Sequence, residues 1–383
     1  MTQAGPAAAP LALEDKSGRQ GTLVPLKVRK ALTERPEPEA VIVLRFSALG
    51  DVVLTTPALG ALRAAWPNAR ILYAVKERFV PLVQGNPDLA QVIPLRAGEG
   101  PLSFARRLKA EVAGAKSVAV LDLHGKIRSV LLRALLPRAW PRVVFHKRDL
   151  ADTLPVKLAL RPWRSEMLFA DRYHAAVEEL VGRRLPRGQL RAFLDPEAVT
   201  RVTALLRARG VDPARPLVGL SPGANWETKR WPTEHFAGLA AQALRAGLQV
   251  VIQGSASERP LCAAIARAAP GAIDLSDDLD LPGLTALISR CSAWVANDSG
   301  PMHLARALGV PTLALFGSTD PGMFAWEGHR VLFRELPCSP CSFFGRRRCP
   351  RGHFDCLRGI SADDAFTALE KLVHGGRPAP LGA

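Results

Sequence analysis

The chain has few aromatic residues. Phe, Trp and Tyr make up 6% of its 383 residues, and Tyr occurs twice. That is a poor basis for the stacking platform on which single-stranded nucleic acid lies. No apolar run is long enough to cross a bilayer. Gly (31) and Pro (32) are frequent but follow no three-residue period, so a collagen-like helix is excluded. The start of the chain lacks the basic stretch, apolar core and cleavage site of an export signal. Met1 to Pro10 is rich in Ala and Pro, and Leu11 to Ala40 mixes both charge signs. The cytoplasm is therefore the expected compartment. Six cysteines in a chain of this length are no secreted disulfide framework.

Acidic residues are also in deficit. There are 35 Asp and Glu against 51 Lys and Arg, a formal net charge of +16. Such an excess points to an anionic partner: nucleic acid, a phosphorylated small molecule or a membrane surface. Nucleic acid is the weakest of these. The basic residues are dispersed and no recognition motif accompanies them.

Hydrophobic residues reach 48%, and the length suits two domains. Residues 1–39 are predicted to be a flexible leader. Ala40 to Phe46 reads as a buried parallel strand. Thr56-Pro57 opens a helix running to Trp66, with Thr as its cap and Pro in its first turn. Strands at 70–75, 91–95, 117–123 and 142–145 alternate with helical segments, the signature of a doubly wound α/β domain. Helices are expected at 166–182 and 196–209. The alternation restarts at Pro216, with strands at 217–221, 248–254, 272–275, 293–296 and 312–316. The boundaries are set at 40–205 and 206–383. Two such domains would leave a ligand cleft between their strand ends.

Several strand ends carry candidate chemistry. Asn297-Asp298-Ser299-Gly300-Pro301-Met302-His303 follows a strand and opens a helix. Gly300 permits an unusual backbone angle or a close ligand. Ser299, Gly300 and the nearby amides can offer N–H groups to an anion, with His303 pointing to the same place. The alternative is a helix merely capped by Asp and Ser. No Gly-Lys-Ser/Thr follows, so this is not a Walker loop.

Ser47 to Asp51 is a second strand-to-loop junction. Gly50 would let a ligand approach the backbone, and Asp51 would accept a proton or cap the next segment. The three spaced glycines of a dinucleotide fingerprint are missing. After the strand at 217–221, Gly223 lies in a loop leading to Lys229 and Arg230. Those two would neutralise a diphosphate, or form a solvated basic pair. Glu258, beyond Gly254, would accept from a ribose hydroxyl or favour its own helix start.

Cys338, Cys341, Cys349 and Cys356 are spaced C-x2-C-x7-C-x6-C. Four thiolates can make a tetrahedral structural zinc site, with free thiols or disulfides as alternatives. Arg346, Arg347, Arg348 and Arg351 among them would favour thiolate and could touch phosphate. A basic stretch from Lys126 to Arg172 would give the first domain a positive face.

Three segments, Leu44 to Val52, Pro222 to Pro232 and Asn297 to Ala305, together resemble glycosyltransferase family nine. The resemblance is to the ADP-heptose:lipopolysaccharide heptosyltransferases and spans about residues 40–372. The Cys-rich segment is similar to one in the heptosyltransferase II-like branch. The resemblance implies a GT-B fold, with two Rossmann-like domains facing across a cleft. It implies an inverting transfer of heptose from ADP-L-glycero-β-D-manno-heptose to an anionic, lipid-linked core oligosaccharide. It implies no metal cofactor for the chemistry. Asp51 matches the general base, and Lys229 the basic residue near the donor phosphates. Ser299, Gly300 and His303 match the phosphate-cradling loop, Asp298 its first residue, and Glu258 the ribose-binding carboxylate. Peripheral attachment to the inner face of the inner membrane is expected. The rivals are a transferase using another nucleotide sugar or a surface polysaccharide acceptor, and a non-catalytic nucleotide-sugar-binding protein.

Overall fold

A computed structural model describes residues 11–12, 32–145, 168–325 and 327–375. The chain divides into two compact α/β units. One contains described residues 32–145 and 168–199. The other contains residues 200–375 together with Leu11 and Ala12. The division at Val199 and Thr200 falls within a helix, Pro196–Ala208, six residues before the expected boundary.

In chain order the described strands are β1 (Leu11–Ala12), β2 (Ala40–Leu44), β3 (Arg70–Lys76), β4 (Gln91–Leu95), β5 (Val118–Asp122) and β6 (Arg142–Val144). They continue with β7 (Leu217–Ser221), β8 (Gln249–Ile252), β9 (Ile273–Asp274), β10 (Ala293–Asn297), β11 (Thr312–Phe316) and β12 (Arg330–Phe333). The N-terminal unit has a parallel sheet in the order β4-β3-β2-β5-β6. The C-terminal unit has the order β1-β12-β11-β10-β7-β8-β9, parallel apart from the antiparallel β1 edge.

The central strands read as a doubly covered sheet requires. Ala40-Val41-Ile42-Val43-Leu44 is buried at every position, and so are β5, β7, β10 and β11. With helices on both faces there is no solvent side, so the alternation of polar and apolar residues disappears.

Helix boundaries follow local chemistry. The helix Thr56–Ala65 has Pro57 in its first turn and stops just before Pro67. Its N-cap is Thr55 rather than Thr56, and neither threonine caps it with its side chain. Thr55 Oγ1 instead donates to the Val52 carbonyl at 2.7 Å. The expected helix at 166–182 is Phe169–Val181, residues 166–167 lying outside the described set. Elements with no counterpart in the sequence reading include β1, which falls within the expected leader, β12, and the helices Asp355–Arg358 and Ala362–His374. The helix Ala362–His374 opens on a capping box. Ser361 Oγ accepts from the Asp364 N–H, and Asp364 Oδ2 accepts from the Ser361 N–H, each at 3.1 Å.

Each sheet has one place where successive connections leave in opposite directions. In the C-terminal unit β7 leads outward through β8 and β9, while its neighbour β10 leads the other way through β11 and β12. The loops after β7 and β10 diverge and leave a crevice at their carboxyl ends. β2 and β5 have the same relationship in the N-terminal unit.

The centre of the C-terminal sheet is tightly packed at Gly219, which lies opposite Trp294 in the β7–β10 register. A Cβ at Gly219 would fall 2.0 Å from the Trp294 ring, and Trp294 is fully buried. Gly219→Ala should therefore destabilise the protein by about 1–3 kcal/mol through overpacking. A denaturant midpoint unchanged from wild type would refute that packing.

Candidate active site

The crevice of the C-terminal unit gathers most of the sequence candidates. β10 ends on Asn297, which is fully buried. Its Oδ1 accepts from the Trp231 N–H at 3.0 Å, and its Nδ2 donates to the Pro222 carbonyl at 2.7 Å. One side-chain amide thus joins the end of β10 to both ends of the loop carrying Gly223 and Lys229. Trp231 is held in turn by its indole N–H, which donates to the Ile360 carbonyl at 2.9 Å.

Asp298 follows. Its Oδ2 meets Lys229 Nζ at 2.6 Å and accepts from Thr319 Oγ1 at 2.6 Å. The Asp298 side chain is 5% exposed and that of Lys229 13%. Burial works against the charged carboxyl, but Lys229 and His303 outweigh it and hold Asp298 below the usual carboxylate pKa. His303 is buried, its ring edge-on to Phe324 at 4.7 Å.

Ser299 has the extended backbone of an N-cap (φ −147°, ψ 176°) at the start of the helix Gly300–Ala307. Its hydroxyl caps nothing. Ser299 Oγ is buried and has no hydrogen-bond partner. A buried hydroxyl left unpaired is costly, and a helix that only needed a cap would have used it. Gly300 is the first helical residue and does not take a left-handed conformation, so no unusual backbone angle explains it.

Gly223 has a steric reason. A Cβ there would fall 1.7 Å from Glu258 Oε1, so glycine is what lets the Glu258 carboxylate lie against the loop. Glu258 Oε2 also accepts from the Ser255 N–H and Oγ, both at 2.8 Å, in a capping box. Its helix-start role is therefore met, and the same carboxylate stands at the crevice. Arg230 turns back on its own loop, with Nε donating to the Ala224 carbonyl at 2.8 Å and a 2.6 Å pair to Glu227.

In the N-terminal unit Gly50 and Asp51 lie on a short helix, Leu49–Val53, where a loop was expected. Gly50 is not left-handed. Asp51 Oδ2 pairs with the Arg45 guanidinium and accepts from the Ala48 N–H at 3.2 Å. Tyr173 OH donates to Asp51 Oδ1 at 3.4 Å. Arg45 also donates to the Leu123 carbonyl at 2.5 Å and lies 5.3 Å from the Tyr173 ring centre. Arg45 is 2% exposed and Asp51 30%, so the carboxylate is the reachable member of the pair.

The four clustered cysteines are free thiols. Burial pushes Cys356 up to about 12 and also raises Cys341, each helped by the neighbouring cysteines. Cys338 Sγ lies 3.6 Å from His353 Nε2. Among the described residues no group of three or more His, Cys, Asp or Glu side chains is gathered to hold a metal ion. The expected four-thiolate zinc site is not shown by this arrangement. The segment has another structural role. The Thr228 N–H donates to the Arg346 carbonyl at 3.3 Å, and the Arg346 N–H donates to Thr228 Oγ1 at 2.8 Å. The Cys-rich segment thus braces the turn that presents Lys229.

Arg45, Tyr173, Asn297 and Thr319 were given no role from sequence. Arg45 had a visible signal, a charge closing an otherwise apolar strand. Tyr173 and Thr319 had none, because only folding brings them to their carboxylates.

The model for glycosyltransferase family 9 (heptosyltransferase) matches residues 104–345, more than half of the chain. The chain belongs to this family. Lipopolysaccharide heptosyltransferase 1 of Pseudomonas aeruginosa is 29% identical over 327 residues, covering 79% of this chain and 85% of that protein. Lipopolysaccharide heptosyltransferase 2 of Salmonella typhimurium is 27% identical over 317 residues, covering 76% and 86%. A family 9 glycosyl transferase from Veillonella parvula has a similar fold, with a TM-score of 0.75 and 22% identity, covering 90% and 100% of the two chains. The two parallel-sheet units are those of a GT-B fold.

The depressed Asp298 pKa has a pH signature. The unfolded carboxyl titrates near ~3.9, and the folded one lies lower. Asp298 therefore contributes its full stabilisation above the unfolded value and loses it as pH falls through the folded value. Denaturant unfolding between neutral pH and pH ~3 should show a smaller acid loss in Asp298→Asn than in wild type. Equal acid slopes would mean that Asp298 is not held below its ordinary value.

Proposed function

We propose that this glycosyltransferase moves heptose from ADP-L-glycero-β-D-manno-heptose to a lipopolysaccharide core acceptor, with inversion at the anomeric carbon. The observation that carries this reading is the start of the helix Gly300–Ala307. An unpartnered, buried Ser299 hydroxyl and the first turn of this helix directly follow Asp298, the partner of Lys229. That is a site for an anion, and for a diphosphate in particular. The names of the relatives, lipopolysaccharide heptosyltransferases 1 and 2, supply the sugar and the acceptor class.

The reaction assigned to these groups is a single displacement. An acceptor hydroxyl oxygen attacks the anomeric carbon. The bond from that carbon to the diphosphate oxygen breaks, and its electron pair leaves with ADP. The hydroxyl proton passes to the Asp51 carboxylate. Lys229 and the N–H groups at the helix start, Ser299 and Gly300 included, stabilise the charge growing on the diphosphate. His303 backs the same turn. Glu258 is assigned to the ribose through the face of its carboxylate next to Gly223. Arg45 and the Ala48 N–H hold Asp51 in one orientation, so a single base on the acceptor side suffices for inversion.

No helix among the described residues is long and apolar enough to cross a membrane. A lipid-linked acceptor would draw the enzyme to the inner face of the inner membrane as a peripheral protein.

Asp51→Asn should lower turnover by roughly a hundredfold or more and leave calorimetric binding of the donor intact. Unchanged turnover would remove Asp51 from the role of base. Among ADP, UDP, GDP, NAD, ADP-heptose and UDP-glucose, the wild type should bind ADP and ADP-heptose most tightly. Preference for another nucleotide would overturn the donor.

A further inference from the structure

The helix Ile127–Leu135 exposes what a soluble helix normally buries. Ile127 is 81% exposed, Val130 49%, Leu131 51% and Leu135 37%. Their spacing places all four on one stripe, while Ser129 and Leu132 face inward and are buried. Seven large hydrophobic side chains are exposed among the described residues, and four of them lie on this helix. A fifth, Leu102, sits in the first turn of the helix Pro101–Glu111, which packs against it. Scattered exposed apolar residues need no explanation, but a concentrated patch does.

The patch has a charged border. Lys126 and Arg128 flank Ile127 and are exposed, as is Arg78. Lys76 belongs to the same group: burial and the proximity of Arg78, Arg128 and Lys126 together lower its pKa. Four cations thus surround the start of an exposed apolar stripe. Helices of that make-up lie in the headgroup region of anionic bilayers, with apolar side chains in the acyl boundary and cations on the lipid charge.

We propose that the stripe Ile127, Val130, Leu131 and Leu135, with Lys76, Arg78, Lys126 and Arg128 beside it, is the surface by which the enzyme docks on an anionic lipid bilayer. The charge pattern selects this occupant, since a purely apolar partner would gain nothing from the four cations. Position supports it as well. Exposure is greatest at the first turn of the helix, just beyond Leu123, whose carbonyl accepts from Arg45, the partner of Asp51. The docked face would therefore lie at the sheet end that carries the proposed base. This last point rests on the acceptor being lipid-linked, whereas the lipid contact itself does not.

The test is flotation of the full chain with vesicles of equimolar phosphatidylglycerol and phosphatidylcholine, against pure phosphatidylcholine, at physiological salt. Wild type should float with the anionic vesicles only. Partitioning should fall roughly tenfold or more in the double variant Ile127→Ser/Leu131→Ser and in Lys126→Glu/Arg128→Glu. Transfer to a soluble, lipid-free acceptor should stay within about twofold in the serine variant, as expected of an exposed site. No flotation of the wild type would overturn the proposal, and so would unchanged flotation of the serine variant. Sedimentation showing that the serine variant dissociates an oligomer, with vesicle binding intact, would make the face a contact between copies instead. Intact vesicle binding without any transfer would count against the proposed function and leave the docking surface standing.

Discussion

A carboxylate buried at the end of a parallel strand must be neutralised where it stands. Asp298 meets that condition through Lys229, and much of the C-terminal site follows from the pairing. Lys229 arrives from a loop that begins at Pro222 and ends at Trp231, so this loop must return to the end of β10. Asn297 fixes both its ends, and Arg346 braces its middle through Thr228. The same requirement sets the position of Thr319, which occupies the second direction on the carboxylate oxygen. A buried pair of this kind adds little net stability but strongly disfavours arrangements in which either charge is alone. Its effect is to hold a lysine in place beside a helix terminus.

The N-terminal unit solves a related problem with the opposite exposure. There the cation is buried and the carboxylate remains accessible. Arg45 is oriented by the Leu123 carbonyl and by the face of Tyr173, so its direction is set before it reaches Asp51. A proton acceptor needs a free lone pair, a fixed orientation and access. Asp51 is left partly open while its partner is immobilised, which suits the proposed role of base. In both units these groups lie at the point where strand connections diverge, the one position at which a parallel sheet leaves its carboxyl ends uncovered.

Most of the architecture was legible in the sequence because its signals are local. Apolar runs such as Ala40 to Leu44 announced buried strands, and Pro57 and Pro67 bracketed a helix. The candidate residues were visible for the same reason: Asp298 and Ser299 stand where a strand pattern stops, and Asp51 and Lys229 lie in the connections that follow β2 and β7. Elements with weak local patterns were missed. The helix Ala362–His374 follows a Cys-rich stretch with no periodicity, although its Ser361 and Asp364 carried a capping signal. Partners supplied across long separations, such as Tyr173 to Asp51, have no local signal at all. The cysteine spacing gives the number of thiols but not the backbone path between them. That path includes bonds such as Thr228 to Arg346, which brace the turn that presents Lys229.

The antiparallel pairing of Leu11 with Phe333 and Ala12 with Leu332 covers the open edge of β12. An uncovered parallel edge is a template for unwanted pairing with another chain. Here the covering residues precede their partners by more than 300 residues. At ribosomal speeds the interval is roughly a quarter of a minute to a minute. Throughout it the N-terminal segment waits outside the sheet it will join, while the N-terminal unit can already form. The β1–β12 pairing thus links completion of the second unit to a segment that precedes the first unit in the chain. Until then Leu332 and Phe333 lack a strand on that side of β12.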